Sequence, residues 1–243
     1  MILKIKGDIV NDDVKRAVNY LRDYGYPILG DYFAPMDLVA ALNEMPKGDR
    51  LEVKINSGGG DVWAGQEIYT MLRGRNDVDI EVESIAASAA SVIAMAGPST
   101  ISPAGMVMIH DVSTYGAGGN HQDFEKLVDT LKRYDEALAG AYMAKTGRPK
   151  AEIIRLMDEE TWLPADKAVK LGFIDKIKDQ DGAGMVAGIG PIGQYDDIIK
   201  QAQELKAKKD AEEQELKAKQ EAEARAHEEL KNSILNDLDT FGA

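Results

Sequence analysis

Val78-Asp79-Ile80-Glu81-Val82-Glu83-Ser84-Ile85-Ala86-Ala87-Ser88-Ala89-Ala90-Ser91-Val92-Ile93-Ala94-Met95-Ala96-Gly97 is the stretch on which the reading of the fold turns. Val78 to Glu83 alternates with a period of two, as a half-buried strand does, and the Ala-rich residues after Ser88 have helical composition and stop at Gly97-Pro98. Ser88 therefore falls at a strand-to-helix junction. Small residues on both sides let another backbone approach its hydroxyl, and the free N–H groups opening the following helix point toward any negative charge that develops there. A serine nucleophile is presented in this way. Taken alone, the same small residues equally describe a buried helix packed closely on a sheet.

Upstream the pattern repeats. Ile2–Lys6 and Leu51–Ile55 alternate as strands; Asp12 to about Tyr24, Met36–Met45 and Ala64–Arg73 carry apolar residues at helical spacing. Strand and helix thus alternate three times, which requires crossover connections and predicts a largely parallel sheet. Between the strand at Ile55 and the helix at Ala64 lies Asn56-Ser57-Gly58-Gly59-Gly60-Asp61-Val62-Trp63. Three glycines leave backbone N–H groups unobstructed, so the turn can hold an anion. A dinucleotide fingerprint starting at Gly58 would need glycine where Trp63 stands, and no Gly-Lys-Ser/Thr follows, so nucleotide phosphate is excluded as that anion. An oxyanion pocket or a plain tight turn remains.

The bulk composition narrows the chemistry. With 243 residues the chain can bury a full core. A net charge of -13 argues against a nucleic-acid binder, and the absence of cysteine excludes disulfides, thiolate nucleophiles and zinc-thiolate sites. Met1–Asp8 is too short and charged for a signal peptide, and no apolar run reaches the ~18 residues of a membrane span, so a soluble, cytoplasmic protein without membrane partners is expected.

Three histidines permit elimination. His227 lies in a charged tail and His121 in the polar start of a helix, whereas His110 closes the apolar run Met106–Ile109, where packing would hold an imidazole at the mouth of a cleft. Phe124 to Tyr142 marks a long amphipathic helix, long enough to project and pair with another subunit. Pro149 to about Asp158 forms another helix, before Glu159-Glu160-Thr161 and a Trp162 of buried type. Residues 181–195 read as a Gly-rich linker. Beyond them Gln203-Glu204-Leu205-Lys206-Ala207-Lys208 recurs as Gln214-Glu215-Leu216-Lys217-Ala218-Lys219, a helical period that predicts a charged tail over 196–243.

The ordered set Ile55-Asn56-Ser57-Gly58-Gly59-Gly60, Ala86-Ala87-Ser88-Ala89-Ala90, Met108-Ile109-His110, Glu160-Thr161-Trp162-Leu163-Pro164-Ala165 and Gly172-Phe173-Ile174-Asp175 resembles the Clp protease proteolytic subunit family, and within it the phage and prophage members that mature heads. The resemblance spans roughly residues 1–178 of a protease domain drawn at 1–180. It implies an α/β fold of the ClpP/crotonase-like type, a stack of ββα units with a projecting helix, to which the C-terminal helical tail is appended. It implies Ser88 as nucleophile, His110 as general base, the amides of Gly60 and Ala89 as oxyanion donors, Gly58 and Gly59 as substrate contacts, and no metal or other cofactor. The family's acid corresponds to Glu160 here, with Asp158 close by in reserve; where the family has proline, Gly58 stands.

The expectation is therefore an ATP-independent serine endopeptidase that holds an extended peptide along a strand edge and works in a homo-oligomeric ring of the heptamer type, single or stacked. As a prohead protease it would act in the bacterial host cytoplasm or inside the prohead, with a capsid or scaffold protein as the tail's partner. Two other readings remain: a capsid-assembly or scaffolding protein with little activity, and a crotonase-like acyl-CoA enzyme.

Overall fold

The structure, a computed structural model, describes residues 1–114, 116–178, Lys217 and Lys219. The chain divides into Met1–Val186 and Ala187–Ala243. The linker at 181–195 and the tail at 196–243 fall outside the described residues, apart from the two lysines, which are helical and exposed.

The first unit alternates strand and helix: β1 (Ile2–Ile9), α1 (Asp12–Asp23), β2 (Tyr32–Phe33), α2 (Pro35–Glu44), β3 (Leu51–Gly60), α3 (Val62–Leu72), β4 (Val78–Ala87) and α4 (Ala89–Ala94). Then follow β5 (Ser99–Ile101), β6 (Met106–Ile109), α5 (His121–Thr146), α6 (Lys150–Asp158), β7 (Thr161–Pro164), α7 (Ala165–Lys170) and β8 (Lys176–Ile177). The strands lie in the order β2-β1-β3-β4-β5-β8, all parallel, as the crossover argument requires. β6 branches off parallel to the end of β4, and β7 pairs antiparallel with β6.

Alternation assigns the faces. Leu51, Val53 and Ile55 of β3 and Val78, Ile80 and Val82 of β4 are buried. Each such side chain contributes roughly 1.5–3 kcal/mol relative to exposure. The residues between them carry charge on the opposite face, where Lys54 lies 3.4 Å from Glu81 and Lys178 lies 2.6 Å from it. Glu81 is nearly buried, and burial pushes its carboxyl up; the bond and charge of Lys178, joined by Lys54, outweigh this and leave it below its ordinary value.

β4 forks. Ile80 to Val82 pair with β5, whereas Ile85 to Ala87 pair with β6. This divergence separates the strand end that bears Ser88 from the flat part of the sheet. α4 packs in the angle against β3, β4 and α3, with all six of its residues buried.

α5 opens on a capping box, in which the Asn120 side chain accepts from Gln122 and Asp123 N–H and the Asp123 carboxylate accepts from Asn120 N–H; it ends at Gly147 in the left-handed region, φ 70. Its 26 residues span about 39 Å at 1.5 Å each. Only Leu138, Ala139, Ala141 and Tyr142 are buried, so the N-terminal half projects, with Phe124 and Val128 exposed. Trp162 departs from the sequence expectation: it is 47 % exposed, because on β7 Leu163 faces inward and Trp162 therefore faces outward.

Candidate active site

Ser88 sits between β4 and α4 with φ 54 and ψ −127. A side-chain-bearing residue pays on the order of 1–3 kcal/mol for such a conformation, and surrounding bonds must hold it there. Its N–H donates to the Met108 carbonyl of β6 at 3.0 Å. Its carbonyl accepts the Ser91 N–H at 2.9 Å and the Ser91 hydroxyl at 2.6 Å. The Ser91 hydrogen is thereby committed, so in the 2.8 Å contact between Ser91 Oγ and Tyr142 it is the tyrosine that donates. A relay from α5 thus buttresses the strained turn.

β3 supplies the other wall. The expected turn at the glycines is a continuation of this strand to Gly60, with an irregular register to β4 between Ile55 and Ser57. Gly59 has φ +101, and a Cβ there would stand 2.6 Å from the Ser88 Cβ and 2.7 Å from the Ala87 oxygen. No other residue fits beneath the serine. Gly60, φ +143, leaves no room either, since its Cβ would meet the Ile9 carbonyl oxygen at 2.1 Å. Gly58 and Gly60 are exposed and Gly59 is buried.

His110 follows β6 directly. The pairing of Ala87 with Met108 carries the ends of two parallel strands past each other, which sets the next side chains together: His110 Nε2 lies 2.8 Å from Ser88 Oγ. Gly60, Val62, Ser88, Ala89, His110 and Tyr142 line one cavity of about 40 Å³. Ser88, His110, Gly60 and Ala89 thus come together, while Gly58 lies outside this lining and Gly59 packs behind it.

The acids distribute differently. Glu160 is an exposed residue with φ 45 at the end of α6, one position beyond the paired Ile109 and Thr161, and its carboxylate accepts the Trp162 indole N–H at 3.2 Å. Asp158 lies close enough to Asp111, the residue after His110, for its charge to act on it. Burial first, then the charges of Asp135 and Asp158, push Asp111 up to about 6. One of its oxygens is buried with no partner. Asp135 of α5 accepts the Val112 N–H at 2.6 Å. Burial raises its carboxyl, the Val112 bond opposes this, Asp158 adds to the rise and His110 draws it back down. Sequence reasoning missed Asp111, Asp135 and the Ser91–Tyr142 relay; of these only Asp111, adjacent to His110, carried a readable signal. His121 is exposed at the start of α5. No group of three ligating side chains among the described residues is arranged to hold a metal ion.

A branched parallel α/β sheet with a hydrogen-bonded serine and histidine at the ends of adjacent strands defines the general class. Comparison with known proteins specifies it. The Clp protease family model matches residues 35–181. The ATP-dependent Clp protease proteolytic subunit of Deinococcus radiodurans is 31% identical over 134 residues, 54% of this chain and 65% of the relative. That of Porphyromonas gingivalis is 31% identical over 144 residues, 58% of this chain and 64% of the relative. Proteolytic subunit 1 of Frankia casuarinae is 34% identical over 146 residues, 57% of this chain and 65% of the relative. The chain belongs to the Clp protease family, and it spans somewhat less than two thirds of the length of these curated relatives.

Proposed function

We propose that this protein is a serine endopeptidase that cleaves without ATP, with Ser88 as nucleophile and His110 as general base. The observation that carries this is the 2.8 Å contact between Ser88 Oγ and His110 Nε2 on a serine held at φ 54. A serine hydroxyl attacks poorly until an imidazole takes its proton. Nε2 takes that proton as Oγ bonds to the scissile carbonyl carbon, then gives it to the departing amine; water attacks the acyl-enzyme by the same route in reverse.

The tetrahedral intermediate's oxygen needs fixed N–H donors, for which the amides of Gly60 and Ala89 are proposed. Asp61 N–H is committed to the Ile9 carbonyl at 2.8 Å, and successive N–H groups of a strand alternate, so the Gly60 N–H faces away from β1. A Cβ at Gly59 would lie 3.0 Å from the Ala89 nitrogen, which brings the second donor beside the same glycines. Beyond Ser57 and Ala86 the ladder to β4 stops, while β3 stays paired with β1 as far as Gly60. The open side of Gly58–Gly60 suits an extended peptide, which adds as a strand.

A fluorophosphonate should label Ser88 of the purified full chain in the absence of nucleotide, and Ser88→Ala or His110→Ala should abolish labelling and peptide cleavage. Absence of labelling at neutral pH in every assembly state sinks the reading. The Ser88–His110 bond favours acyl transfer over acyl-CoA hydration, and a thioester screen that turned over faster than peptides would reverse that preference.

The biological setting proposed is head maturation in a phage or prophage, with subunits arranged in a ring and the tail contacting capsid or scaffold. The resemblance of the ordered motifs to the phage and prophage members and the charged repeat after Gln203 support it. Deleting residues 196–243 should abolish incorporation into proheads and spare peptide cleavage; loss of both together contradicts the division of labour.

A further inference from the structure

A histidine that accepts the serine's proton at Nε2 must carry its own proton on Nδ1, and that N–H needs an acceptor that also balances the imidazolium during turnover. Four carboxyl groups lie near enough to be considered. Glu160 is exposed and engaged with the Trp162 indole. Asp111 and Asp158 face each other as like charges, the second adding to the burial that pushes the first up to about 6, so the negative charge they could offer an imidazole is opposed within the pair. Asp135 remains.

Asp135 is half-buried on the seated half of α5, one turn before Leu138 and two before Tyr142, and is fixed by the Val112 N–H at 2.6 Å. That bond occupies one carboxylate oxygen and ties the chain two residues past His110 to the helix. We propose that Asp135 is the positioning carboxylate of the site, holding the His110 imidazole in its working tautomer and balancing its charge, in place of Glu160 or Asp158. This rests on the reading of Ser88 and His110 as nucleophile and base. The electrostatics agree, since the Asp135 carboxyl is drawn down by His110 while burial raises it. The base is thereby completed by the projecting helix rather than by the strand that follows α6.

Asparagine at this position keeps an acceptor for Val112 and removes the charge, which separates anchoring from positioning. In the full chain, Asp135→Asn should lower kcat at least a hundredfold with KM within about twofold, and Asp135→Glu should restore part of the loss. A carboxylate raises the pKa of a neighbouring imidazole, so the acid limb of the kcat/KM profile should move to lower pH in Asp135→Asn. Glu160→Gln and Asp158→Asn should stay within about threefold of wild type. If Asp135→Asn fails to fold, Asp135→Ala assayed with added formate replaces it, and at least a tenfold restoration of kcat is expected. Overturning results are Asp135→Asn within threefold of wild type, a hundredfold loss in Glu160→Gln or Asp158→Asn, or a folded Asp135→Ala that formate leaves unchanged. Wild-type turnover that persists in Ser88→Ala would instead sink the underlying reading, so the two failures are distinguishable.

Discussion

At the scale of single residues the site works against the fold's stability. Ser88 holds a conformation that glycine would adopt without strain, so function and backbone preference oppose each other there. Ser88→Gly should be more stable than Ser88→Ala by about 1 kcal/mol, although glycine ordinarily loses about that much to alanine in chain entropy. Urea denaturation of the two variants measures this, and an alanine variant as stable as the glycine one would show the turn to be unstrained. Asp111 makes a second prediction. Its pKa is raised in the fold to about 6 from an ordinary 3.8. The native state therefore binds the proton more tightly between those values, and the stabilisation present at low pH is lost as pH rises through about 6. Asp111→Asn should raise Tm at pH 7.5 by about 2–4 °C, the shift that roughly 1 kcal/mol gives in a chain of this size. The gain should vanish near pH 4, and an equal gain at both values would refute the assignment.

At the scale of elements, the strand end at Ser88 is held by α4 and α5 together. Tyr142 is buried, and burial pushes its phenol well above the ordinary range, so it stays a donor to Ser91 at any working pH. Removing that hydroxyl leaves Ser91 bonded to the Ser88 carbonyl but no longer supported from α5. Tyr142→Phe should cost about 1 kcal/mol of stability, the usual net worth of one such bond. It should lower fluorophosphonate reactivity more than global stability alone explains, because the loss falls on the turn. Tyr142→Phe and Ser91→Ala combined should cost less than the sum of the two, since they break one relay. Strict additivity in thermal melts would mean that α5 does not buttress the turn.

At the scale of the whole molecule, a 26-residue helix buries only its second half. Phe124 and Val128 are 46 % and 48 % exposed on the free half, an apolar face the described residues of this chain do not cover. In a ring of subunits that face would meet a neighbour. Phe124→Glu with Val128→Glu should reduce the assembly's mass by sedimentation while leaving the circular dichroism of the protomer unchanged; an undiminished mass would place the contact elsewhere. If Asp135 positions His110, the same helix would link assembly to the base, and the doubly substituted protein should label more slowly than wild type.

Much of this was legible in the chain itself. The period-two runs at Leu51 and Val78, the helices between them and the consequent parallel sheet follow from local pattern, because alternation and crossover length are properties of neighbouring residues. Ser88 was legible as a serine among alanines at a change of period, and His110 by elimination among three histidines. The backbone strain at Ser88, the fork in β4 and the closeness of Gly59 to Ser88 were not, since each arises from register between strands far apart in sequence. Trp162 looked like a core residue until β7 proved to turn it outward. The carboxylate proposed to position His110 was least legible of all: Asp135 lies among Arg133, Tyr134 and Glu136 on a charged helix, indistinguishable there from a solvated side chain. Sequence alone determined the alternating sheet and the strand-to-helix setting of Ser88, whereas only packing decided which carboxylates lie near the His110 imidazole, because proximity across elements is fixed by burial and not by order along the chain.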